Sequence, residues 1–247
     1  MSKVESYREI LRQIGEWEEY LLRESRLPGP RANIELAQAA AEEGEAEWFD
    51  HLLSYDATNA PTNSPYEFLA FCGVLGQGKL LENGHLEALE KLRECASDPR
   101  WRIREAVAMV LQRLGRTDME SLLTEMTRWS EGNLLERRAA AAGPCEPGLL
   151  GEVEIGHRVL QILDTITRSI LEETDRRSVE FQALSKALGY CWSVVVAAQP
   201  EIGKPFMEKW MVIDEPDVRR IMKGNLKKKR LLRADSAWTE TWVEYLK

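Results

Sequence analysis

Proline and glycine, the residues that interrupt regular secondary structure, are few in this sequence. Its 247 residues include 10 prolines and 16 glycines, whereas 44% are hydrophobic and 30% are charged. This composition excludes a disordered or low-complexity chain and allows a sizeable buried core. We therefore expect residues 1–247 to form one continuous domain that folds on its own.

Cysteine and histidine are also scarce. The cysteines form no C-x-x-C pair and lie far apart, at Cys72, Cys95, Cys145 and Cys191. Their spacing favours a reducing compartment over a disulfide framework or a zinc knuckle. The histidines lack the spacing of metal ligands and lie at His51, His85 and His157. We expect neither a bound metal nor a cofactor.

Long hydrophobic runs are missing as well. The first ten residues, MSKVESYREI, carry charges where a signal peptide needs an apolar segment. The longest apolar run, residues 194–198, is far shorter than the roughly 20 residues that cross a bilayer. These absences predict a cytoplasmic protein with no membrane partner.

The net charge of −8 argues against indiscriminate nucleic-acid binding. The charge is unevenly distributed, because residues 1–97 hold 9 Lys/Arg against 18 Asp/Glu. Residues 98–247 hold 24 Lys/Arg against 23 Asp/Glu. The domain is therefore expected to begin with acidic helices and to continue with repeats that carry basic helix faces.

Helical periodicity recurs between turn signals, and no stretch of alternating β-branched residues is long enough for a sheet. The predicted helices span 3–25, 31–43, 45–55, 65–82, 84–97, 100–115, 118–130, 133–143, 151–173, 177–198, 202–212, 216–232 and 236–246. Five or six hairpins of about 40 residues each fit this length. The predicted fold is all-α, an armadillo-like α-α superhelix in which helical hairpins stack as a HEAT-like solenoid.

A weak internal repeat supports the stacking of hairpins. Three helix starts align on their basic residues: SDPRWRIREAVA at 97, EGNLLERRAAAA at 131 and DEPDVRRIMKGN at 214. Their period is the one that stacked helix pairs produce. In contrast, Gly73, Gly76 and Gly78 follow no strand that would make a phosphate loop, and they indicate close helix contacts.

A helical wheel of residues 100–115 separates packing residues from the rest. The core stripe consists of Ile103, Val107, Val110 and Leu114. The opposite side carries Trp101, Glu105, Ala108 and Gln112, flanked by Arg102 and Arg104. An indole on that side, one turn from a carboxylate, indicates a candidate functional surface, because an indole is costly to leave in water.

Two later helices also divide into core and surface faces. On helix 177–198, Trp192 belongs to the core stripe and Tyr190 points away from it; Trp129 and Trp210 are likewise predicted core residues. On helix 216–232, one face carries Arg219, Arg220, Lys223, Lys227 and Arg230. Residues 217–233 hold 8 Lys/Arg against one acid, enough local field to attract an anion.

Each surface feature also has a purely structural interpretation. An off-core Trp101 packs equally well against the next repeat of a solenoid, and a basic face is usually solvated or paired with acids of a neighbouring repeat. The patterns alone leave both interpretations open.

Three short motifs occur in order within roughly residues 85–200: WRIRE at 101–105, NLLERRAA at 133–140 and KALGY at 186–190. They resemble the Trp-x-x-x-acid pair, the Asn-x-x-x-x-Arg-Ala-Ala helix start and the Lys-Ala-Ile-Gly-Trp segment of the HEAT-like alkylpurine DNA glycosylases, the DNA-alkylation-repeat family. Tyr190 stands where that family has tryptophan, and residues 1–97 match no part of it.

The resemblance implies a DNA-binding repeat protein with alkylpurine glycosylase activity. Glu105 would be the catalytic carboxylate that stabilises a positive sugar and positions water. Trp101 and Tyr190 would hold the cationic nucleotide by π-face contacts, and Arg138 would face the DNA. Further phosphate contacts would come from Arg137, Arg219, Arg220, Lys223, Lys227 and Arg230.

A second function remains open, since the commonest use of a helical solenoid is as a non-catalytic scaffold whose concave face binds a protein. The chain also resembles bacterial HEAT-repeat proteins for which the resemblance implies architecture alone. The enzyme requires Trp101, Glu105, Tyr190 and Arg138 in one cleft, whereas a scaffold does not.

Overall fold

A computed structural model describes residues 2–247 of the chain. Within that range it contains 15 α-helices and one short 3-10 turn, and no residue is in a β-strand. The all-α prediction is therefore confirmed. Across the same residues, no helix is both long enough and apolar enough to cross a bilayer.

The chain packs as two compact units, which divide after Thr117. The division follows the helix that begins at Trp101, not the change in charge after residue 97. Unit 1 contains α1 (Lys3–Gln13), α2 (Trp17–Glu24), α3 (Ile34–Glu43), α4 (Ala46–Leu53), α5 (Pro65–Glu82), α6 (Ala88–Ala96) and α7 (Trp101–Thr117).

The core of unit 1 is built around α5. This helix packs against α3 and α7, while α1 packs on α3, and α2, α4 and α6 also contact α5. Close approach needs glycine: a Cβ on Gly76 would lie 2.2 Å from Cδ1 of Phe49, and one on Gly73 would lie 3.1 Å from the Phe49 carbonyl oxygen. The glycines of α5 are helix contacts, as predicted.

The predicted helix 3–25 is wrong in one respect, because it is two helices. α1 ends at Gln13 and α2 begins at Trp17. Gly15 lies between them, and glycine is the weakest helix former after proline. The Trp17 indole N–H also donates to the Leu11 carbonyl at 2.8 Å, which satisfies one acceptor at the end of α1.

Three arginines at the start of α7 are buried, contrary to the expectation that Arg102 and Arg104 flank a solvent-facing side. Arg102 lies 3.2 Å from the buried Glu67 carboxylate and donates to the Gly29 carbonyl. Arg104 donates to the carbonyls of Asp98 and Pro99. Buried guanidinium groups need such partners, so these side chains anchor α7 in place.

Arg100 anchors the same helix start to a loop. Its Nη1 donates to the carbonyl oxygens of Tyr55, Asp56 and Ala60 at 2.8, 3.2 and 3.0 Å. Its other nitrogens bind the Asp98 carboxylate. One side chain thus closes the loop after α4 and sets the position from which α7 begins.

Unit 2 contains α8 (Met119–Trp129), α9 (Leu134–Ala142), the 3-10 turn Pro147–Leu149, α10 (Val153–Ser169), α11 (Val179–Ala198), α12 (Pro200–Met211), α13 (Pro216–Leu226), α14 (Lys229–Ala234) and α15 (Ser236–Tyr245). α11 packs between α9 and α13. On the other side, α10 contacts α8 and α12, and both α10 and α12 contact α11. Alternate helices of this unit, α9, α11 and α13, therefore pack side by side in chain order.

The three predicted core tryptophans of unit 2 are buried. Trp129 and Trp192 are fully enclosed and Trp210 is 5% exposed. The Trp192 indole donates to Thr167 Oγ1 at 3.1 Å, and the Trp210 indole donates to Asp164 Oδ1 at 2.8 Å. The predicted burial of these residues is confirmed, but Ala108 of α7, which the helical wheel placed away from the core, is only 4% exposed.

The predicted helix 216–232 is also two helices. α13 ends at Leu226, and Lys228 is extended, with φ −81° and ψ 123°. Like charges one turn apart, such as Lys223 and Lys227, disfavour the continuation of a helix. The five basic residues predicted on one helix face are consequently shared between α13, α14 and the turn that joins them.

Candidate nucleic-acid interface

The candidate interface is positioned by the contact between α11 and α13 in unit 2. A Cβ on Gly224 would lie 3.2 Å from the Gly189 carbonyl oxygen, so the two backbones approach closely where both helices carry glycine. This contact places the basic residues of α13 next to the helix that bears Tyr190.

Asn225 links the same two helices through hydrogen bonds. Its fully buried amide donates to the carbonyls of Leu188 and Ile221 at 2.8 and 2.9 Å. Its Oδ1 accepts from the Ser193 backbone N–H at 2.9 Å. Every polar group of this buried side chain has a partner, which fixes how α13 rotates against α11.

Replacing Asn225 with alanine is expected to lower the free energy of unfolding of unit 2 by about 2–4 kcal/mol, because it leaves buried polar partners unsatisfied. Urea denaturation checks this value. Asn83→Ala, an exposed change of the same type in unit 1, should lower the free energy of unfolding of its own unit by less than about 0.5 kcal/mol. A loss at Asn225 as small as at Asn83 would contradict the linking role.

A first groove of about 670 Å³ runs along the exposed side of α13. Its residues are Asp214, Pro216, Arg219, Arg220, Lys223, Gly224 and Lys227. Four of the five basic residues predicted for one face therefore do line one surface. The first groove contains more cations than acids and is open to a ligand.

A second groove of about 660 Å³ adjoins the first at Lys227. Its floor is apolar and comes from Pro147, Val194, Ala197 and Ala198. Its basic side chains are those of Lys227, Lys228, Lys229, Arg230 and Arg233. The two grooves together make a basic surface that spans α13 and α14.

Tyr190 lies beside the second groove and is 42% exposed, as the helical wheel predicted. Its hydroxyl is 2.5 Å from Arg230 Nη2, and the Arg230 guanidinium carbon is 4.5 Å from the ring centroid. Lys228 Nζ is 5.5 Å from the same centroid. The aromatic ring and two cations of α14 and its preceding turn therefore form one cluster, held by cation–π attraction.

Ion pairing distinguishes Arg220 from the other basic residues of the grooves. Arg220 lies 2.6 Å from the Asp217 carboxylate, which Arg176 also contacts at 3.0 Å. Within residues 2–247, no carboxylate lies within 4.0 Å of the other groove cations: Arg219, Lys223, Lys227, Lys228, Lys229, Arg230 and Arg233. Their charge is therefore available to an anion from outside.

Arg137 and Arg138 lie on the first turns of α9, which packs against α11. This helix begins with a capping box, in which Asn133 and Glu136 satisfy each other's backbone N–H groups. Both arginines are half-buried. The Nε of Arg137 is buried without a hydrogen-bond partner in residues 2–247, so part of its donor capacity is unused.

Trp101 and Glu105 belong to unit 1, where both are exposed on α7. Trp101 is 48% exposed, and the Arg102 guanidinium carbon lies 4.4 Å from its ring centroid. Spacing of four residues places the two side chains on one side of the helix. The predicted pair is therefore present as an accessible indole and carboxylate, while Tyr190, Arg137, Arg138 and the basic grooves belong to unit 2.

Three cations of the second groove, Lys228, Lys229 and Arg233, were not predicted as site residues from the sequence, and neither was the apolar floor of that groove. The signal was present in the run of cations from Lys227 to Arg230. A single continuous helix would have distributed these side chains around its axis, so the turn after Leu226 was needed to place them along one groove.

The cysteines of the chain are free thiols. Burial raises the pKa of Cys145, and a hydrogen bond with Cys191 raises it further; burial raises the pKa of Cys95 to about 12. Such thiols are protonated at neutral pH and poor nucleophiles. Among residues 2–247, no group of three or more His, Cys, Asp or Glu side chains is arranged to hold a metal ion.

Comparisons with protein families, with curated proteins and with solved structures find no match for this chain.

Proposed function

We propose that this chain is a nucleic-acid-binding protein that contacts the DNA phosphate backbone through the two basic grooves of unit 2. The observation that carries the proposal is the row of cations on α13, α14 and their connecting turn that have no carboxylate partner within residues 2–247. An excess of local positive charge in an acidic protein is otherwise unexplained.

The chemistry of the grooves suits a polyanion with regularly spaced charges. Lysine and arginine side chains neutralise phosphates and release condensed counterions, which supplies affinity without reading sequence. The apolar floor and the half-exposed Tyr190 provide surfaces on which a base or sugar can lie. A small anion would need only a fraction of this surface.

We further propose that the helices form a HEAT-like solenoid. Support comes from the order of packing inside each unit: α1, α3, α5 and α7 pack in series in unit 1, as do α9, α11 and α13 in unit 2. Stacked hairpins produce this order, because each repeat contacts mainly its neighbours. The resemblance to the DNA-alkylation-repeat family adds to this support.

Electrophoretic or anisotropy titration with duplex DNA tests the binding proposal. The wild-type protein should bind at low ionic strength, and its affinity should fall by about a hundredfold between roughly 50 and 200 mM salt, as expected if about four phosphates are contacted. An absence of duplex binding at low salt would favour the scaffold alternative.

A second proposed activity is the release of alkylated purines from DNA. It is favoured by the exposed indole of Trp101 one turn from the exposed Glu105, together with the resemblance of the three motifs. An N3- or N7-alkylated purine is cationic and already a good leaving group, so a carboxylate that stabilises the positive sugar is the main requirement. Methylated duplex DNA, treated with alkali after incubation, would reveal the abasic sites.

The scaffold alternative is favoured by the arginines at the start of α7. Arg100, Arg102 and Arg104 are buried and bind groups of unit 1, so an arginine-led helix start need not face DNA. If neither duplex DNA binding nor base release is observed, a non-catalytic role in protein binding becomes the better interpretation of both units.

A further inference from the structure

Unit 1 has a cavity of about 560 Å³ whose lining includes two indole rings and four glutamates. It lies where the turn between α1 and α2 meets the turn between α3 and α4, and it is lined by Trp17 and Trp48, which contact each other edge to face. Their ring centroids are 5.1 Å apart and their planes meet at 87°. Perpendicular indoles form a corner with negative π-faces, which attracts a cation.

The position of each indole is fixed by the fold. The Trp17 indole N–H donates to the Leu11 carbonyl. This hydrogen bond satisfies the only polar group of the indole and fixes the orientation of the ring. A Cβ on Gly44 would lie 2.7 Å from Trp48 Cε3 and 2.6 Å from Phe49 Cε1. Glycine at this turn is therefore what lets Trp48 occupy its place, and the corner is preformed.

Carboxylates complete the walls, and they fall into two kinds. Glu43 binds Arg8 and Arg12, and Glu18 accepts a hydrogen bond from the Tyr55 hydroxyl at 2.8 Å. In contrast, Glu16 and Glu45 are exposed, and no cation of residues 2–247 lies within 4.0 Å of their carboxylates. Two carboxylates with no ion-pair partner in residues 2–247 therefore lie beside the indole rings of Trp17 and Trp48.

We propose that this cavity binds the side-chain ammonium of a lysine in a basic peptide segment of a partner protein. The ammonium would lie against the faces of Trp17 and Trp48 and donate hydrogen bonds to Glu16 and Glu45. Charge complementarity selects this occupant, because an uncharged or acidic segment would leave both carboxylates without a counterion. The site is independent of the basic grooves and gives the acidic N-terminal helices a binding role.

The arrangement also explains why an ammonium is favoured over a purely apolar side chain. An apolar group would gain contact with the indoles but would desolvate the Glu16 and Glu45 carboxylates without compensation. A lysine satisfies both requirements, since its methylene stem contacts the rings while its three N–H donors reach the acids.

A fluorescein-labelled glycine/serine peptide that carries several lysines tests this proposal by fluorescence anisotropy with the full chain at low salt. The same peptide with acetylated lysines keeps the stem but removes the charge, and it should bind at least about tenfold more weakly. Equal binding of the two peptides, or no binding of either, would overturn the proposal.

Two variants locate the site. Trp48→Leu should weaken binding of the lysine peptide by about tenfold through loss of the cation–π contact, and the double variant Glu16→Gln/Glu45→Gln should weaken it by about fivefold. The second variant changes only exposed caps that make no side-chain cap hydrogen bond, so folding should be unaffected.

The matched control is Glu19→Gln/Glu47→Gln, which removes the same charge from exposed neighbours that do not line the cavity. Its affinity should equal that of the wild type. If this control weakens binding as much as the Glu16 and Glu45 pair does, the peptide recognises only the general acidity of unit 1, and the proposed site is wrong.

Discussion

Replacing Glu105 with glutamine is expected to lower the release of alkylated purine from DNA by about a hundredfold or more, the scale of a lost catalytic electrostatic contact. Glutamine keeps the size of the side chain but cannot stabilise the positive sugar that forms as the base leaves. Because Glu105 is exposed on α7, the fold should tolerate the change. Quantification of abasic sites in methylated duplex DNA measures the effect.

Glu19→Gln is a suitable control for that measurement, because Glu19 is also an exposed carboxylate of unit 1 and its loss should leave base release unchanged. DNA affinity should be nearly the same for both variants and the wild type, since neither change removes a cation. Wild-type protein that releases no base, or a Glu105→Gln variant as active as the wild type, would reject the catalytic role.

The triple variant Arg219→Ala, Lys223→Ala and Lys227→Ala is expected to weaken duplex DNA binding by about a hundredfold at low salt. Each lost phosphate contact removes about 0.9 from the slope of log affinity against log salt, so the slope should become shallower by nearly three. These cations line the first groove and have no carboxylate within 4.0 Å in residues 2–247.

Two controls make this test specific. Arg220→Ala alone should change the slope by much less than the roughly 0.9 expected for one lost phosphate contact, because Arg220 is already paired with Asp217. A triple variant of exposed cations outside both grooves, at Lys3, Lys186 and Lys247, should leave the slope nearly unchanged. If the control triple flattens the slope as much as the groove triple, binding is diffuse and the grooves are not the interface.

Hydrophobic periodicity was sufficient to predict most of the fold. The stripes on helices 100–115 and 177–198 placed Ile103 and Trp192 in the core and Tyr190 outside it, and the burial of these residues agrees. Periodicity works here because each helix buries one face against its neighbours. Helix ends were less predictable, since they depend on particular side-chain contacts outside the helical repeat, such as the hydrogen bond from the Trp17 indole to the Leu11 carbonyl.

The burial of charged residues could not be predicted from a helical wheel. A wheel assigns Arg102 to a polar flank, yet its guanidinium lies in the interior with Glu67 and the Gly29 carbonyl. These partners are 35 and 73 residues away in sequence. No local pattern indicates that such a pairing will form, and the same limitation hid Arg100 and its loop carbonyls.

The candidate site was predicted in composition but not in shape. The excess of lysine and arginine after residue 217 marked the basic surface correctly. Its division into two grooves depends on the end of α13 at Leu226 and on the apolar floor from Val194 and Ala197. The aromatic corner of unit 1 had no sequence signal at all, because Trp17 and Trp48 are brought together only by packing.

The hydrogen bond from the Ser193 backbone N–H to Asn225 Oδ1 makes one amide proton a reporter on the basic grooves. This proton has its Asn225 acceptor only while α13 remains docked, whereas most amides of α11 have acceptors within that helix alone. Deuterium exchange at Ser193 should therefore slow when a bound polyanion clamps α13, and should accelerate together with exchange in α13 when that helix detaches. In any variant of the grooves, the exchange rate of this amide therefore distinguishes detachment of α13 from a loss of charge that leaves α13 docked.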